Sequence, residues 1–364
     1  MLRSCGPYNR KLQKTRNKTR GLSVHTICNH HTEAEVAHRT FCCERTLLPR
    51  TVGRRVLTDL SFLAQRTKQM LTISFIPLAF CAPRTFSHPV RVYIEDTDAY
   101  QVVYHGNYLR FFERAAAATI AGTAQVGKLL RSDGLGFALL SASGLKYSAP
   151  AVLGDACHVD LEPHETTEAD GIVSCAAALI RNRDGEVLCT ASDLRLGWVG
   201  ADSAIAACAG EPLGEYPAAC ESPELLEPLS LQLDECSPVG TLGMHAAVRY
   251  FERHRTHYLG GPENLAAMAD TGVNVVVARI NWLRLLPEAH RTRAGAPLVL
   301  RCRVTLKARQ VLFEQWLLRK EDAADGMLTP VARADVTCLC VDAAAGRLVA
   351  APPMVVERLK TYMI

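Results

Sequence analysis

The chain has no Cys-x-x-Cys pair, although it carries 14 cysteines among its 364 residues. That absence excludes the common zinc ribbons and dithiol redox sites. Cys157, Cys175, Cys302, Cys338 and Cys340 fall instead on alternating apolar stretches, where they read as small core residues of a reducing compartment. Cys28, His30, His38 and Cys42 match no standard finger spacing, so their grouping reads as coincidence. A glycine-rich phosphate loop and a metal motif are also missing, and no metal ion or separate cofactor is expected. No apolar run suggests a membrane span: the mostly apolar stretch 71–82 falls well short of the ~20 residues a spanning helix needs.

Acidic residues are missing from the start of the chain. Arg3, Arg10, Lys11, Lys14, Arg16, Lys18 and Arg20 all precede the first acid, Glu33. Residues 1–85 hold 15 Lys and Arg against 4 Asp and Glu, while the remainder holds 26 against 33. The basic excess therefore belongs to a leader, taken as 1–87, with the composition of a mitochondrial import sequence. A nucleic-acid-binding tail is the weaker reading of the same charge, and no nucleic-acid partner is expected. A start at Met70 would place an apolar run near the N-terminus and imply secretion; without import the protein would be cytoplasmic.

What the chain does have is apolar content, 48% hydrophobic against 21% charged residues, enough for two cores of ordinary domain size. Residues 95–114, Glu-Asp-Thr-Asp-Ala-Tyr-Gln-Val-Val-Tyr-His-Gly-Asn-Tyr-Leu-Arg-Phe-Phe-Glu-Arg, place an acidic loop between a strand and a helix. Val90, Val92 and Ile94 alternate with Arg91 and Tyr93, which predicts the strand, and Leu109, Phe112, Ala116 and Ile120 recur at helical spacing. Asp98 sits at the strand end, seven residues before His105.

This run resembles the signature of 4-hydroxybenzoyl-CoA thioesterases and related short acyl-CoA thioesterases of the hotdog fold, Asp-x-Asp-Ala-Gly-Gly-Val-Val-Tyr-His-x-Asn-Tyr. Asp96, Asp98, Ala99, Val102, Val103, Tyr104, His105, Asn107 and Tyr108 stand in the family's places, and the resemblance extends less sharply to about residue 200. Tyr100 and Gln101 replace the paired glycines, which changes how closely the backbone can approach a substrate.

Arg110-Phe111-Phe112-Glu113-Arg114 aligns with Arg249-Tyr250-Phe251-Glu252-Arg253 at an offset of 139, and the same shift aligns Val90, Val92 and Ile94 with Leu229, Leu231 and Leu233. In that alignment Ser237 falls opposite Asp98 and Met244 opposite His105, with His245 one place on. Residues 201–228, rich in Ala, Gly, Pro and Glu, have linker composition. The reading is a hotdog domain at 88–200, a linker at 201–228 and a degenerate hotdog domain at 229–364, paired as an internal pseudo-dimer that can assemble further. The predicted class is α+β, each half an antiparallel sheet wrapped around a long central helix. Supporting strands are 298–306, with Leu298, Leu300, Cys302, Val304 and Leu306 on one face, and 157–161; Asp184-Gly185 marks a hairpin turn.

The resemblance implies hydrolysis of an acyl-CoA or acyl-carrier thioester, coenzyme A being part of the substrate. Asp98 would act as general base or nucleophile, two routes the residues leave open. Amides opening the helix would stabilise the oxyanion, and the resemblance assigns the Tyr104 N–H to the thioester oxygen. His105 orients water or bonds the carbonyl, the ordinary alternative being a capping histidine. Asn107 and Tyr108 shape the helix start and, with Tyr100 and Arg110, border the substrate, and Arg110, Arg114 and Lys146 are candidates for the coenzyme A phosphates. Glu252, His254 and His257 have a zinc-like spacing but read as a polar helix face. The rival readings are a non-catalytic hotdog scaffold or acyl-binding subunit of an organellar complex and, more weakly, a dehydratase, whose Asp-x-Asn-Pro-x-His pattern is absent.

Overall fold

Ten strands lie in one antiparallel sheet in the computed structural model, which describes residues 85–98, 101–164, 172–200, 229–321 and 327–360. The leader up to residue 84, the 201–228 linker and Tyr100 lie outside the described residues. In chain order the strands are β1 (Phe86–Arg91), β2 (Leu135–Tyr147), β3 (Ala156–Pro163), β4 (Ile172–Arg181), β5 (Val187–Gly200), β6 (Leu229–Ser230), β7 (Val273–Leu285), β8 (Pro297–Lys307), β9 (Gln310–Lys320) and β10 (Leu328–Asp342). Strand β1 starts two residues before the expected boundary at 88.

Period-two alternation dictates which face each strand buries. Leu298, Leu300, Cys302 and Val304 of β8 are buried while Arg303, Thr305 and Lys307 are exposed. Cys157, Val159 and Leu161 of β3 do the same. Gly185, at φ +67°, turns β4 into β5. The five cysteines expected in the core are buried free thiols.

The sheet order is β1-β3-β4-β5-β2-β7-β10-β9-β8-β6. The first five strands and the second five thus follow one order from opposite edges, and the two sets meet where β2 pairs with β7. Ala142 lies opposite Leu283 there, and Leu145 opposite Ile280. Neither strand had a marked sequence signal. Helix α1 (His105–Ala116) packs on the first set and α3 (Met244–Tyr258) on the second, and the two helices touch each other. Apolar residues at helical spacing explain this, since Leu109, Phe111, Phe112, Ala115 and Ala116 are buried on α1 and Ala247, Val248, Tyr250 and Phe251 on α3. Gly106 permits the close approach, because a Cβ there would stand 2.9 Å from Val248 Cγ1. Shorter helices are α2 (Thr123–Asp133), α4 (Pro262–Asp270) and α5 (Pro353–Lys360). Among the described residues no helix is long and apolar enough to cross a membrane.

Two expectations need correction. The alternating strands do not reach Ile94 or Leu233: both lie in 3-10 turns, Ile94–Asp96 and Leu233–Glu235, and their side chains are exposed, because the chain must curl to carry the acidic loop back to the helix. The first helix is also not one long rod. After α1 it widens into a π turn, Ala117–Gly122, and Gly122 adopts φ +78°, a left-handed value that interrupts the helix before α2.

Candidate functional site

The acidic loop is a closed hydrogen-bonded unit. The Asp98 N–H donates to Val102 O (2.9 Å), the Gln101 N–H donates to Asp98 O (3.0 Å), and Thr97 bridges to Val103. The exposed Asp98 carboxylate also accepts a long contact from the Val102 N–H (3.4 Å). Asp96 is buried and its carboxylate accepts the Tyr93 N–H (3.1 Å). A second segment braces the loop from behind: the Val103 N–H donates to Ala151 O (2.9 Å) and the Leu153 N–H to Gln101 O (3.0 Å). That segment is held by Arg181, whose Nε lies 3.0 Å from Asp155 and whose Nη2 donates to Pro150 O (2.7 Å).

A cavity of about 450 Å³ opens in front of this loop. Asp98, Tyr104, Asn107 and Arg110 line it from the first half, and His245, Arg249, Glu252 and Arg253 of α3 form the facing wall. Asn107 ties helix to loop, its Nδ2 donating to Asp96 O (2.9 Å). The remaining candidates are placed elsewhere. Tyr108 is buried, its hydroxyl accepting the Ala151 N–H (2.9 Å), which makes it a packing residue. Arg114 lines a different cavity, and Lys146 is an exposed residue of β2. The Tyr104 amide is corrected as oxyanion donor, because it already donates to Asp96 O (3.1 Å). Helix geometry then leaves the His105 and Gly106 amides as the opening-turn donors without an intrahelical acceptor.

His105 is not on the cavity lining; it turns toward α3. Its Nε2 lies 3.2 Å from Arg255 Nη2 and 3.6 Å from Glu252 Oε2, and its ring stacks obliquely on Tyr104 with centroids 4.4 Å apart. Burial lowers its pKa to about 4, with Glu252 pulling upward and Arg255 pushing further down. The ring is therefore neutral at pH 7, Arg255 donates to Nε2, and the proton is assigned to Nδ1. Burial works to raise the Glu252 pKa, but Arg255 and His105 beside it leave it below the ordinary carboxylate value. Arg255, itself buried, also donates to Gln315 Oε1 (2.6 Å). His254 is buried, its ring edge-on to Tyr258, with its pKa lowered to about 3 by burial first and then by His257, Arg255 and Arg301. Among the described residues no cluster of His, Cys, Asp or Glu is placed to hold a metal ion.

These depressed histidines set a pH dependence. The unfolded chain binds protons at His105 and His254 near pH 6.5, whereas the folded chain binds them only near pH 4 and 3. The stability they contribute is therefore full above about pH 6.5 and is lost as the pH falls toward 4, by an amount on the order of several kcal/mol. Urea unfolding at pH 7.5 and at pH 5 is expected to give a clearly lower midpoint at pH 5. Equal midpoints would show that these rings are solvated.

The loop opening α3 has the same hydrogen bonds 139 residues on: the Ser237 N–H donates to Thr241 O (2.7 Å) and the Gly240 N–H to Ser237 O (2.8 Å), and Cys236 bridges to Leu242. A hydroxyl stands where the first loop has a carboxylate. The comparison also explains Gln101, the one non-glycine with positive φ (+62°) among the described residues: its counterpart is Gly240, at φ +77°. A left-handed residue with a Cβ costs about 1–2 kcal/mol. Gln101→Gly is therefore expected to stabilise the protein by about 1 kcal/mol net of the glycine's own backbone entropy, read as a higher denaturant midpoint. A lower midpoint would mean that the glutamine side chain supports the loop.

Sequence reasoning had no functional place for Arg249 and Arg253, set His245 only one place from the position matching His105, and read Glu252 as part of a polar face. The available signal was the offset itself, which puts Arg249, Glu252 and Arg253 opposite Arg110, Glu113 and Arg114.

No family model matches the chain. It is similar to the acyl-CoA thioesterase YbgC of Haemophilus influenzae, 44% identical over 87 residues, or 23% of this chain and 62% of that protein. It is also similar to the acyl-CoA thioester hydrolase YbgC of Escherichia coli, 38% identical over 77 residues, or 21% of this chain and 57% of the relative. The chain thus spans about three fifths of the length of the curated relatives it matches. Among solved structures it resembles an acyl-ACP thioesterase from Bacteroides thetaiotaomicron at 12% identity, over 70% of this chain and 97% of that one, with a TM-score of 0.46.

Proposed function

We propose that the chain is a tandem hotdog acyl-CoA thioesterase with one hydrolytic site, formed by the acidic loop of the first half and closed by α3 of the second. The observation that carries this reading is the cavity shared by Asp98 and the α3 residues Arg249, Glu252 and Arg253. Its support is the thioesterase-like motif around Asp98, the similarity to the two YbgC proteins, and the strand order common to both halves.

In this mechanism the thioester carbonyl lies over the start of α1. The His105 and Gly106 amides, with the positive end of the helix dipole, stabilise the charge developing on its oxygen. Asp98 either removes a proton from attacking water or itself attacks the acyl carbon to give a mixed anhydride that water then hydrolyses, and in both routes the thiolate of coenzyme A leaves. Arg110, Arg249 and Arg253 supply positive charge at the cavity for the phosphates, although Arg253 is shared with Glu235 at 2.7 Å. His105 acts through Glu252 and Arg255 by fixing the start of α1 against α3. The leader 1–87 would direct import into mitochondria.

A non-catalytic acyl-binding role is the second reading, favoured by the strained Gln101 where the thioesterase signature has glycine. One assay separates them. The purified chain is offered acyl-CoAs of graded chain length while free thiol release is followed: turnover above the Asp98→Asn background supports the enzyme, and binding without turnover leaves the acyl-binding protein.

A further inference from the structure

The molecule has a second cavity, of about 320 Å³, where the 237–242 loop and the start of α3 face α1. Its walls are those of the first cavity with the halves exchanged. Arg110, Glu113 and Arg114 of α1 stand where Arg249, Glu252 and Arg253 stand in the other. The Thr241 N–H lies 3.4 Å from Ser237 Oγ, as the Val102 N–H lies 3.4 Å from Asp98 Oδ1.

Three differences separate the two. The loop offers a hydroxyl in place of a carboxylate. The interior is apolar, built from Ala117, Val126, Phe137, Val199, Met244 and Leu285. And His290, only 4% exposed, lies on its wall with an Nε2 that has no hydrogen-bond partner among the described residues. Burial lowers the pKa of His290, so its ring is neutral at pH 7 and offers one polar atom to a ligand head. The Glu113 carboxylate is engaged elsewhere, accepting the Leu139 N–H (2.9 Å). An apolar enclosure with a few convergent polar groups is the usual form of a small-molecule site.

We propose that this second cavity binds, without cleaving, the acyl end of an acyl thioester or of the carboxylic acid released from it. The tail would lie against Ala117, Phe137 and Leu285, and the head would reach His290 and Ser237. The choice of ligand rests on the thioesterase reading, whereas the cavity and its unpartnered histidine do not.

The test is calorimetric titration of the full chain with S-octyl-CoA, a thioether that cannot be hydrolysed, and separately with octanoate. Two equivalents of thioether per chain are expected. Ala117→Phe, which fills only the second cavity, is expected to bind one equivalent while hydrolysing acyl-CoA at the unchanged rate. Octanoate displacing one of the two thioether molecules identifies the free acid as an occupant, and failure to displace it assigns the site to the thioester. Because an added ring can overpack the helix, the unmodified chain is also labelled with S-octyl-CoA carrying a terminal diazirine. Crosslinks within 117–139 support the proposal. Crosslinks confined to 95–98 and 249–253, no binding, or a single equivalent untouched by Ala117→Phe overturns it. Wild-type turnover is scored apart: two equivalents bound without turnover sinks the thioesterase reading and leaves the cavity standing.

Discussion

Asp98→Asn is expected to lower acyl-CoA hydrolysis by about 100-fold or more, the usual scale for losing an acid–base group, with the fold intact. The amide keeps the shape of the side chain and the contact to the Val102 N–H, and it removes only the basicity and nucleophilicity of the carboxylate. Because Asp98 is exposed, no buried charge is left uncompensated. Steady-state kinetics should show the loss in kcat/KM while the unfolding midpoint stays in place. Full activity in this variant would remove Asp98 from the chemistry. Ser237→Ala is the matched control and is expected to leave turnover unchanged, since Ser237 stands outside the first cavity.

Arg181→Met is expected to destabilise the protein by about 3–5 kcal/mol, the cost of leaving one partner of a buried ion pair behind. The Arg181 and Asp155 side chains are only 7% and 4% exposed, so solvent screens the pair little. The same guanidinium donates to Pro150 O and Glu186, and the segment it anchors holds the back of the acidic loop through Ala151 O. Denaturant unfolding measures the first effect. A fall in hydrolysis well below the unfolding transition would measure the second, by showing that the loop has loosened before the core. A midpoint within 1 kcal/mol of wild type would mean that Asp155 finds water or Arg183 instead.

How much of this was legible in the sequence depends on the range of the interactions. Buried strands such as β3 and β8 alternate with period two, and the turn at Asp184-Gly185 needs only local residues, so both could be read directly. The loop around Asp98 was legible because its hydrogen bonds close within a few residues. Strands β2 and β7 were not, since pairing Leu145 with Ile280 depends on segments 135 residues apart and neither strand alternates cleanly. His105 was set beside the substrate for the same reason: nothing near a helix start reveals that a buried Arg255, 150 residues on, is brought against its ring. The Tyr104 amide was lost to Asp96 O, a bond set by the backbone path of the turn.

The junction of β2 with β7 has a consequence for how such a molecule can change. Two identical subunits meeting along that line would carry every substitution twice, so any loss on one loop would be a loss on both. With both strands in one chain the partner is always present, at an effective concentration fixed by the tether and independent of expression level, and each substitution lands on one side alone. Ser237 can therefore stand opposite Asp98 at the offset of 139, and Arg255 opposite Ala116, without either change being copied to the other set of strands. Inheritance as one unit lets one loop stay constant while the other drifts.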